Sequence, residues 1–399
     1  MPQETSYNIN RVLNTIWQKH EISRTLIAEH LEVNRSTITK ITNPLIDEGI
    51  LVMEEKGEST PNGGRRPIDL SLNRDFGIIM GIEIQTEGWN LVATDLYGET
   101  LLERSYPLNG NIFDSDTALQ FILTRAEQEC SRLNKTVIGA GIGISGLVNP
   151  YTGVILQSNP MGILRETPFY EGFSKKFPYP VIIENDANCC CYSELIKKKA
   201  YRERNFLSIL GELRKSQSAD SPGSVGIAIG TGIVIKGSVL HGDTFSAGEF
   251  QSVFKTTVND SQFNLNQGSL SRLTYDNAVI RRVMNELSRN IAFLVNMMNF
   301  TLINFEGDIV RYEDLLREFL EVEIQANWSY DSKVHCQINF ADVGTNAVAH
   351  GAAGAVIEKI FSPPLVEEPS DYYPSGIELL RYTRERLKLT NGETITVHG

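Results

Sequence analysis

Residues 77–98 read GIIMGIEIQTEGWNLVATDLYG, two apolar runs of strand character joined by Gln85, Thr86, Glu87 and Gly88. A strand–turn–strand at the start of an α/β domain often grips phosphate. A grip through the backbone calls for adjacent glycines, a small hydroxyl residue and no competing acid. This turn has one glycine with a carboxylate beside it. It is therefore an unusual nucleotide site, a plain hairpin, or a phosphate loop whose chemistry has been removed.

Working outward, strand-like runs alternate with helical ones from Phe76 onward: VIGAGIGI, VIIEN, FLSIL, VGIAIG, IVIKG and TLINF, with helical stretches at 117–133, 187–199, 276–299 and 344–360. That alternation implies α/β layers, with ligands beyond the carboxyl ends of the strands. Polar clusters fall there. In ENDANCCCYSEL, Asn185 and Asp186 follow a buried strand and precede a helix that turns Cys190, Cys191 and Leu195 inward. Asp186 or Asn185 either caps that helix or takes a hydrogen bond or proton from a sugar hydroxyl, with Asn185 fixing its orientation. In SVGIAIGTGIVIKGSVLHGDTFSAGEFQSV, Gly230-Thr231-Gly232 reads as a turn between two strands, a hairpin or a phosphate grip, and Ala247-Gly248-Glu249 follows on a loop. In SGLVNP, Ser145 and Gly146 end a glycine-rich strand where backbone can approach a ligand.

The first 74 residues are of another kind. Ile9, Val12, Leu13 and Ile16, then Ile27, Ala28 and Leu31, then Ile38, Ile41 and Leu45 follow helical spacing and predict three short helices. Ser23 and Asn34 are placed to cap the second and third, and Glu32-Val33-Asn34 is the turn between them. Pro44 should bend the third helix near its end, and Gly49 suits a left-handed residue after it. With Ile38 inward, Arg35, Ser36, Thr37, Thr39 and Lys40 face outward without an acid, as a major-groove reader requires. Ser23 and Thr25 complete the helix set. GILVME and RRPIDLSL read as two strands of a wing, whose loop carries Arg65 and Arg66 toward a minor groove or phosphate. The alternative is a small protein-binding module with solvated hydroxyls.

Composition bounds these readings. Two or three domains are expected in 399 residues. Net charge is −12, yet residues 1–74 carry nine Lys and Arg against ten Asp and Glu, so the acid sits in the larger part. The charge argues against a protein coated with nucleic acid but leaves room for a local DNA-binding element. No apolar stretch is long enough to span a bilayer, and MPQETSYN lacks the features of a signal peptide. Five cysteines, three of them adjacent, make neither a disulfide framework nor zinc-ligand spacing. A cytoplasmic location is expected.

SRTLIAEHLEVNRSTITKITNPLIDEGILV followed by GGRRP resembles the winged helix and linker of repressors in the ROK family. GISGLVNP, ENDAN, GTGIVIKG, AGE and NAVAHGAAGA resemble, in order, the landmarks of the ROK domain. The resemblance implies an α/β chain with an N-terminal winged helix-turn-helix followed by a two-lobed actin-like ATPase and sugar-kinase fold. The expected domains are 1–74 for DNA binding and linker, 75–195 for a first lobe completed by helix 344–361, 196–343 for a second lobe with dimer contacts, and 362–399 as a C-terminal extension. In family kinases the counterpart of Asp186 is the base that deprotonates the sugar hydroxyl, and the counterparts of Asn185, Gly146 and Glu249 contact the sugar.

Departures from the family decide the function. Where family kinases carry Asp-x-Gly-Gly-Thr, this chain has Glu83-Ile84-Gln85-Thr86-Glu87: the aspartate is changed, both glycines are lost and an acid faces the phosphate position. The opening stretch reads as a disarmed phosphate hairpin. Gln251-Ser252 replaces a Gly-His whose imidazole holds sugar and ligates zinc, and Ser269 and Ser271 stand for a zinc cysteine and a sugar-binding acid. The adenosine-end glycines become Phe305-Glu306-Gly307-Asp308. Losing two charged hydrogen bonds weakens the family's hexose pose at least about a hundredfold.

The expectation is therefore a sugar-responsive transcriptional regulator, a repressor of carbohydrate-metabolism genes. It has no catalytic residue, cofactor or metal, and Ser145, Gly146, Asn185, Asp186 and Glu249 hold a sugar or sugar derivative in the interlobe cleft. Its partners are a roughly palindromic operator and that effector, without a membrane, as a homodimer with a tetramer as the alternative. The competing readings are a ROK sugar kinase with an appended DNA-binding domain, and a ligand-independent repressor.

Overall fold

Helix α1 (Gln3–Lys19) turns Ile9, Val12, Leu13, Ile16 and Trp17 into the protein, each at most 6% exposed, so the apolar spacing of its sequence becomes one buried face. The computed structural model describes residues 3–55, 68–108, 116–169, 176–215, 225–256, 258–259, 261–270, 272–361 and 374–390. The chain divides into two compact units, residues 1–185 with 352–399, and residues 186–351.

In the first unit, β1 (Ile22–Ser23) leads into α2 (Arg24–Leu31) and α3 (Arg35–Asp47). The Ser23 hydroxyl accepts from the Leu26 amide at 3.3 Å, the cap expected of it. Asn34 stands at the start of α3, but its side chain makes no cap hydrogen bond; its carbonyl accepts from the Thr37 and Ile38 amides instead. That expectation is corrected: Asn34 holds the N-cap position with the extended backbone of a cap, as Ser23 does, but only its carbonyl serves the helix. Glu32 takes the left-handed conformation that closes α2, and Gly49 does so after α3. Strands β2 (Leu51–Glu55) and β3 (Ile68–Leu72) pair antiparallel, and β1 adds to β3, which gives the wing.

The main sheet of this unit runs β11-β7-β4-β5-β6. Strands β4 (Ile78–Ile84) and β5 (Gly88–Thr94) form an antiparallel hairpin, and β6 (Thr100–Pro107) extends it. After α4 (Asp116–Cys130), β7 (Val137–Ile144) pairs parallel with β4. A small sheet of β8 (Leu147–Asn149), β9 (Val154–Gln157) and β10 (Thr167–Pro168) intervenes before β11 (Val181–Asn185), which lies parallel to β7. IIMGIEI and VIGAGIGI are near-continuous apolar runs because parallel central strands are covered on both faces. One cover is α8 (Ala347–Phe361), so close that a Cβ on Gly141 would lie 1.9 Å from the Ala352 carbonyl oxygen.

The winged module is fastened to this sheet. Tyr97, in the turn between β5 and β6, donates its hydroxyl to the His20 carbonyl (2.9 Å) and accepts from the Leu72 amide (2.8 Å), while its ring stacks on His20. Trp17 stacks on Phe361 of α8. Helix α9 (Ile377–Thr390), inside the expected C-terminal extension, adds a third tie: the Ile377 amide donates to Asn10 of α1, and Arg381 pairs with Glu48 at the end of α3.

In the second unit, α5 (Asp186–Lys197) packs on a sheet ordered β14-β13-β12-β15-β16. Its strands are β12 (Phe206–Lys215), β13 (Val225–Ile235), β14 (Ser238–Val239), β15 (Leu302–Gly307) and β16 (Gln337–Phe340). Helices α6 (Asn277–Met298) and α7 (Glu313–Ala326) pack together and bury Val283, Met284, Leu287, Leu316 and Leu320.

One expectation fails here. Gly230-Thr231-Gly232 is not a turn: residues 225–235 are one continuous strand, with Gly230, Thr231 and Gly232 opposite Leu210, Ile209 and Ser208. The glycines answer to α5. A Cβ on Gly232 would lie 2.3 Å from the Cys191 sulfur and 2.5 Å from the Ala187 carbonyl oxygen, and one on Gly230 would lie 3.0 Å from the Ala187 Cβ. Close helix-on-strand packing, not a reversal of the chain, requires them.

Candidate functional site

The front of α3 is presented as a groove reader needs. Arg35, Ser36, Thr39 and Lys40 are exposed and Thr37 is half-buried, while Ile38 is fully buried and Thr42 and Leu45 hold the inner face. Arg35 and Glu29 form a loose, exposed ion pair at 3.8 Å, and the Thr39 hydroxyl donates back to the Arg35 carbonyl. Ser23 is engaged as a cap and Thr25 is half-buried on α2. Arg65 and Arg66 of the wing loop lie outside the described residues. Arg24, which the sequence reading passed over, clamps α2 to α3 by donating to the Thr42 hydroxyl (2.9 Å) and the Asn43 side chain (3.2 Å). Its signal was position: the first residue of one helix set against the back of the next.

At the carboxyl edge of the first unit's sheet, Ile84, Ile144 and Asn185 form one register row across β4, β7 and β11. Ser145 and Gly146 follow directly. The Asn185 side-chain amide donates to the Gly146 carbonyl (2.9 Å), and Ser158 donates to the Ser145 carbonyl (2.5 Å). Gly146 has φ +127°, and a Cβ there would meet the Gln157 carbonyl oxygen at 2.3 Å, so the position is closed to any side chain. Ser145, Gly146 and Asn185 are thus brought together.

The second unit gathers another set. Asp186, buried at the start of α5, accepts from the Ala187 amide through one oxygen (2.9 Å) and from Arg214 of β12 through the other (3.4 Å). Arg214 is also bonded to Glu212 two residues earlier. Burial alone would lower the Arg214 pKa, but Glu212 and Asp186 outweigh it and the guanidinium is held charged. Glu249 pairs through its backbone with Gly230, whose Cβ direction points within 3.8 Å of Asp186 Oδ1. Its side chain is exposed overall, and partial desolvation raises its carboxyl above the usual range. Asp186 and Glu249 therefore share a neighbourhood with Glu212 and Arg214. Strand alternation was the available signal for the last two: 210, 212 and 214 lie on the face that opposes the small residues 230, 228 and 226.

The hairpin at residues 83–90 is closed on itself. Glu83 is 6% exposed, and its two carboxylate oxygens accept from the side-chain amides of Gln85 and Asn90, each at 2.8 Å. Asn90 is the residue directly opposite Glu83 in the ladder. The Gln85 amide donates to the Gly88 carbonyl and the Glu87 carbonyl accepts from Leu108. The Glu83, Gln85 and Asn90 side chains bond to one another and Glu87 adds a second acid at the turn, so the residues present do not fit an ATP phosphate.

The region that carries zinc in family kinases does not fit a metal either. Ser252 is buried, accepts from Asn290 and donates its amide to the Gln262 carbonyl, while Gln262 bridges Ile229 and Phe250. Ser269 is buried, and Ser271 lies outside the described residues. Among the described residues no group of three or more His, Cys, Asp or Glu side chains is placed to hold a metal, and the five cysteines are free thiols. At the former adenosine-end glycines, Gly307 keeps a left-handed conformation against the Gly211 carbonyl, and Asp308 accepts from the Leu213 amide. No described helix is long and apolar enough to cross a membrane.

The chain is 31% identical over 251 residues to the xylose repressor of Caldicellulosiruptor bescii, a match covering 62% of this chain and 58% of that protein. It is 27% identical over 292 residues to the xylose repressor of Staphylococcus xylosus, covering 72% and 70%. This chain thus spans less than two thirds of the first relative's length. A solved ROK family transcriptional regulator, a homologue of the E. coli MLC protein, superposes with a TM-score of 0.68 at 19% identity, covering 97% of this chain and 98% of that one. The fold is the α/β, sugar-kinase-like fold of that regulator, with helices in place for the N-terminal helix-turn-helix. Residues 79–251 match the family model described as ROK family.

Proposed function

We propose that this protein is a sugar-responsive transcriptional regulator, a repressor of carbohydrate-metabolism genes that acts from the cytoplasm. Two recognition helices of a homodimer, or of a tetramer built from such dimers, would read a roughly palindromic operator through Arg35, Ser36, Thr37, Thr39 and Lys40, with Ser23 and Thr25 beside them. Arg65 and Arg66 of the wing would add backbone or minor-groove contacts. Ser145, Gly146, Asn185, Asp186 and Glu249 would hold the effector. The relatives are repressors named for xylose, which makes that pentose the first effector to test.

The observation that carries this reading is the closed hairpin, in which Glu83, Gln85 and Asn90 satisfy one another where a kinase would bind phosphate. A domain that keeps polar groups suited to hydroxyls and loses its phosphate grip is suited to sensing rather than phosphoryl transfer. The polar front of α3, free of acids, supports the DNA-reading half. An effector relieves repression only if it binds the DNA-incompetent arrangement more tightly than the competent one.

The test is a genomic fragment selection with the purified full-length protein, followed by binding to the enriched sequence with and without xylose and other sugars. Enrichment of a two-fold sequence whose affinity changes with a sugar is the expected result. Weak binding blind to sequence, or sugar-dependent ADP release abolished by Asp186→Asn, would overturn the proposal.

A further inference from the structure

Helix α9 and the glycine before it touch both the winged module and the sheet behind it. The Ile377 amide donates to the Asn10 side chain of α1 (2.9 Å), and the Gly376 amide donates to the Lys359 carbonyl of α8 (2.9 Å). Asn10 is 1% exposed, so a buried side chain of the winged module takes the first amide of a helix 367 residues away. Ile377, Leu379 and Leu380 are buried. The Thr383 hydroxyl, also buried, donates to the Leu379 carbonyl and reaches the Ile138 carbonyl of β7 at 3.4 Å. That strand leads into Ser145 and Gly146. Residues 352–399 belong to the same compact unit as the winged module and this sheet.

The same helix holds the foot of α3. Arg381 engages both carboxylate oxygens of Glu48, Nη2 to Oε1 at 3.0 Å and Nε to Oε2 at 3.4 Å, with each side chain 21% exposed. Glu48 is the residue that closes α3, and the last turn of α3 contains no basic residue. The carbonyl end of a helix carries partial negative charge, to which Glu48 adds its own. A cation for that end comes from α9. Arg381 also lies 3.6 Å from Glu378 on its own helix, a looser pair than the one with Glu48. Two nitrogens meeting two oxygens fix direction as well as distance, so the contact constrains the tilt of α3 and not its position alone.

Resting on the proposed reading of a two-fold operator by a dimer, we infer that Arg381 is a positioning residue for DNA recognition. Through Glu48 it fixes the angle of α3 on the first unit's sheet, and the winged module is carried as one body with that sheet instead of swinging on a linker. In a dimer the distance and angle between the two recognition helices are then dictated by where the two sheets lie. Half-site spacing is read strictly as a result.

The test uses the full-length protein and the two-fold sequence it enriches from genomic fragments, with versions of that sequence whose half-sites stand one base pair closer or farther apart. One base pair shifts a half-site by about 3.4 Å and turns it by about 34°, so wild-type binding should weaken at least about tenfold on either altered spacing. Arg381→Gln and Glu48→Gln should each narrow that penalty at least about threefold. The double variant should match the single ones, as residues acting through one contact do. A loosened fold lowers affinity for all three spacings alike, so the ratio between spacings isolates positioning from stability. A wild type indifferent to spacing, an unchanged ratio in both single variants, or effects that multiply in the double variant overturns this inference and leaves the proposed function standing. Absence of any enriched two-fold sequence overturns both.

Discussion

Replacing Tyr97 by Phe removes one oxygen atom from the join between the winged module and the main sheet of the first unit. The ring stays, with its stacking on His20 and the Arg74 guanidinium over its face, so the change isolates the hydroxyl. That hydroxyl makes two hydrogen bonds, donating to the His20 carbonyl and accepting from the Leu72 amide. Losing the first costs about 1 kcal/mol, and leaving the buried Leu72 amide without a partner costs about 1–3 kcal/mol more. The total is about 2–4 kcal/mol, equivalent to faster exchange by roughly 30- to 1,000-fold, since each 1.4 kcal/mol is tenfold. Burial raises the Tyr97 pKa to about 12, so the group is neutral, and able both to donate and to accept, throughout the ordinary pH range. The assay is native-state hydrogen exchange read on peptides covering residues 20–23 and 68–72. Accelerated exchange there, with little change in peptides from residues 277–298, is expected. Unchanged protection at Leu72 would refute the claim that Tyr97 fastens the module.

Three further outcomes follow. Gly232→Ala should lower the thermal midpoint by an amount equivalent to about 1–3 kcal/mol because its Cβ meets the Cys191 sulfur and Ala187 carbonyl, whereas Gly226→Ala, with nothing within 4 Å, should stay within about 0.5 kcal/mol. Glu306 is raised from 4.5 to about 8 by burial first, then by Glu194, against the opposing pull of Lys197 and Lys198. The folded state thus holds a proton that the unfolded state releases between pH about 4.5 and 8. Stability should fall across that window by up to about 1.4 kcal/mol per pH unit, and thermal scans of Glu306→Gln should lose that slope. Arg35→Ala should cost roughly 1–3 kcal/mol of discrimination between the selected operator and scrambled DNA, measured by competitive binding, while leaving the thermal midpoint unchanged.

The parts of the fold legible in the sequence were those set by local period and cap chemistry. Helices α1 to α3, the turn at Glu32, the left-handed Gly49 and the β4–β5 hairpin each follow from a few neighbouring residues. The glycines at 230 and 232 misled because a glycine needed for a turn and a glycine needed for close packing look alike in sequence; the deciding partner, α5, lies some forty residues away. Asn34 holds the N-cap position expected of it and lacks only the side-chain bond, since position and bond are separate things. In the candidate site, Ser145, Gly146 and Asn185 were legible as strand ends, and the structure ties Asn185 to Gly146. Arg214 was not, because its meaning comes from reaching Asp186, twenty-eight residues distant. Helix α9 falls in a stretch with no motif, and its ties to Asn10 and Glu48 span more than three hundred residues.

The closed hairpin bears on how the fold divides sensing from catalysis. A phosphate grip leaves backbone amides unpaired on the ligand side, and such a loop is stable only because water or phosphate takes those donors. Here Glu83, one methylene longer than the family's aspartate, reaches both Gln85 on its own strand end and Asn90 across the ladder. The side chains at this turn thus satisfy one another. Restoring aspartate alone would shorten the acceptor away from both amides without returning the missing glycines at 85 and 86 or removing the Glu87 charge. The loss is therefore distributed over several residues that now stabilise one another, and each protects the others from single reversal.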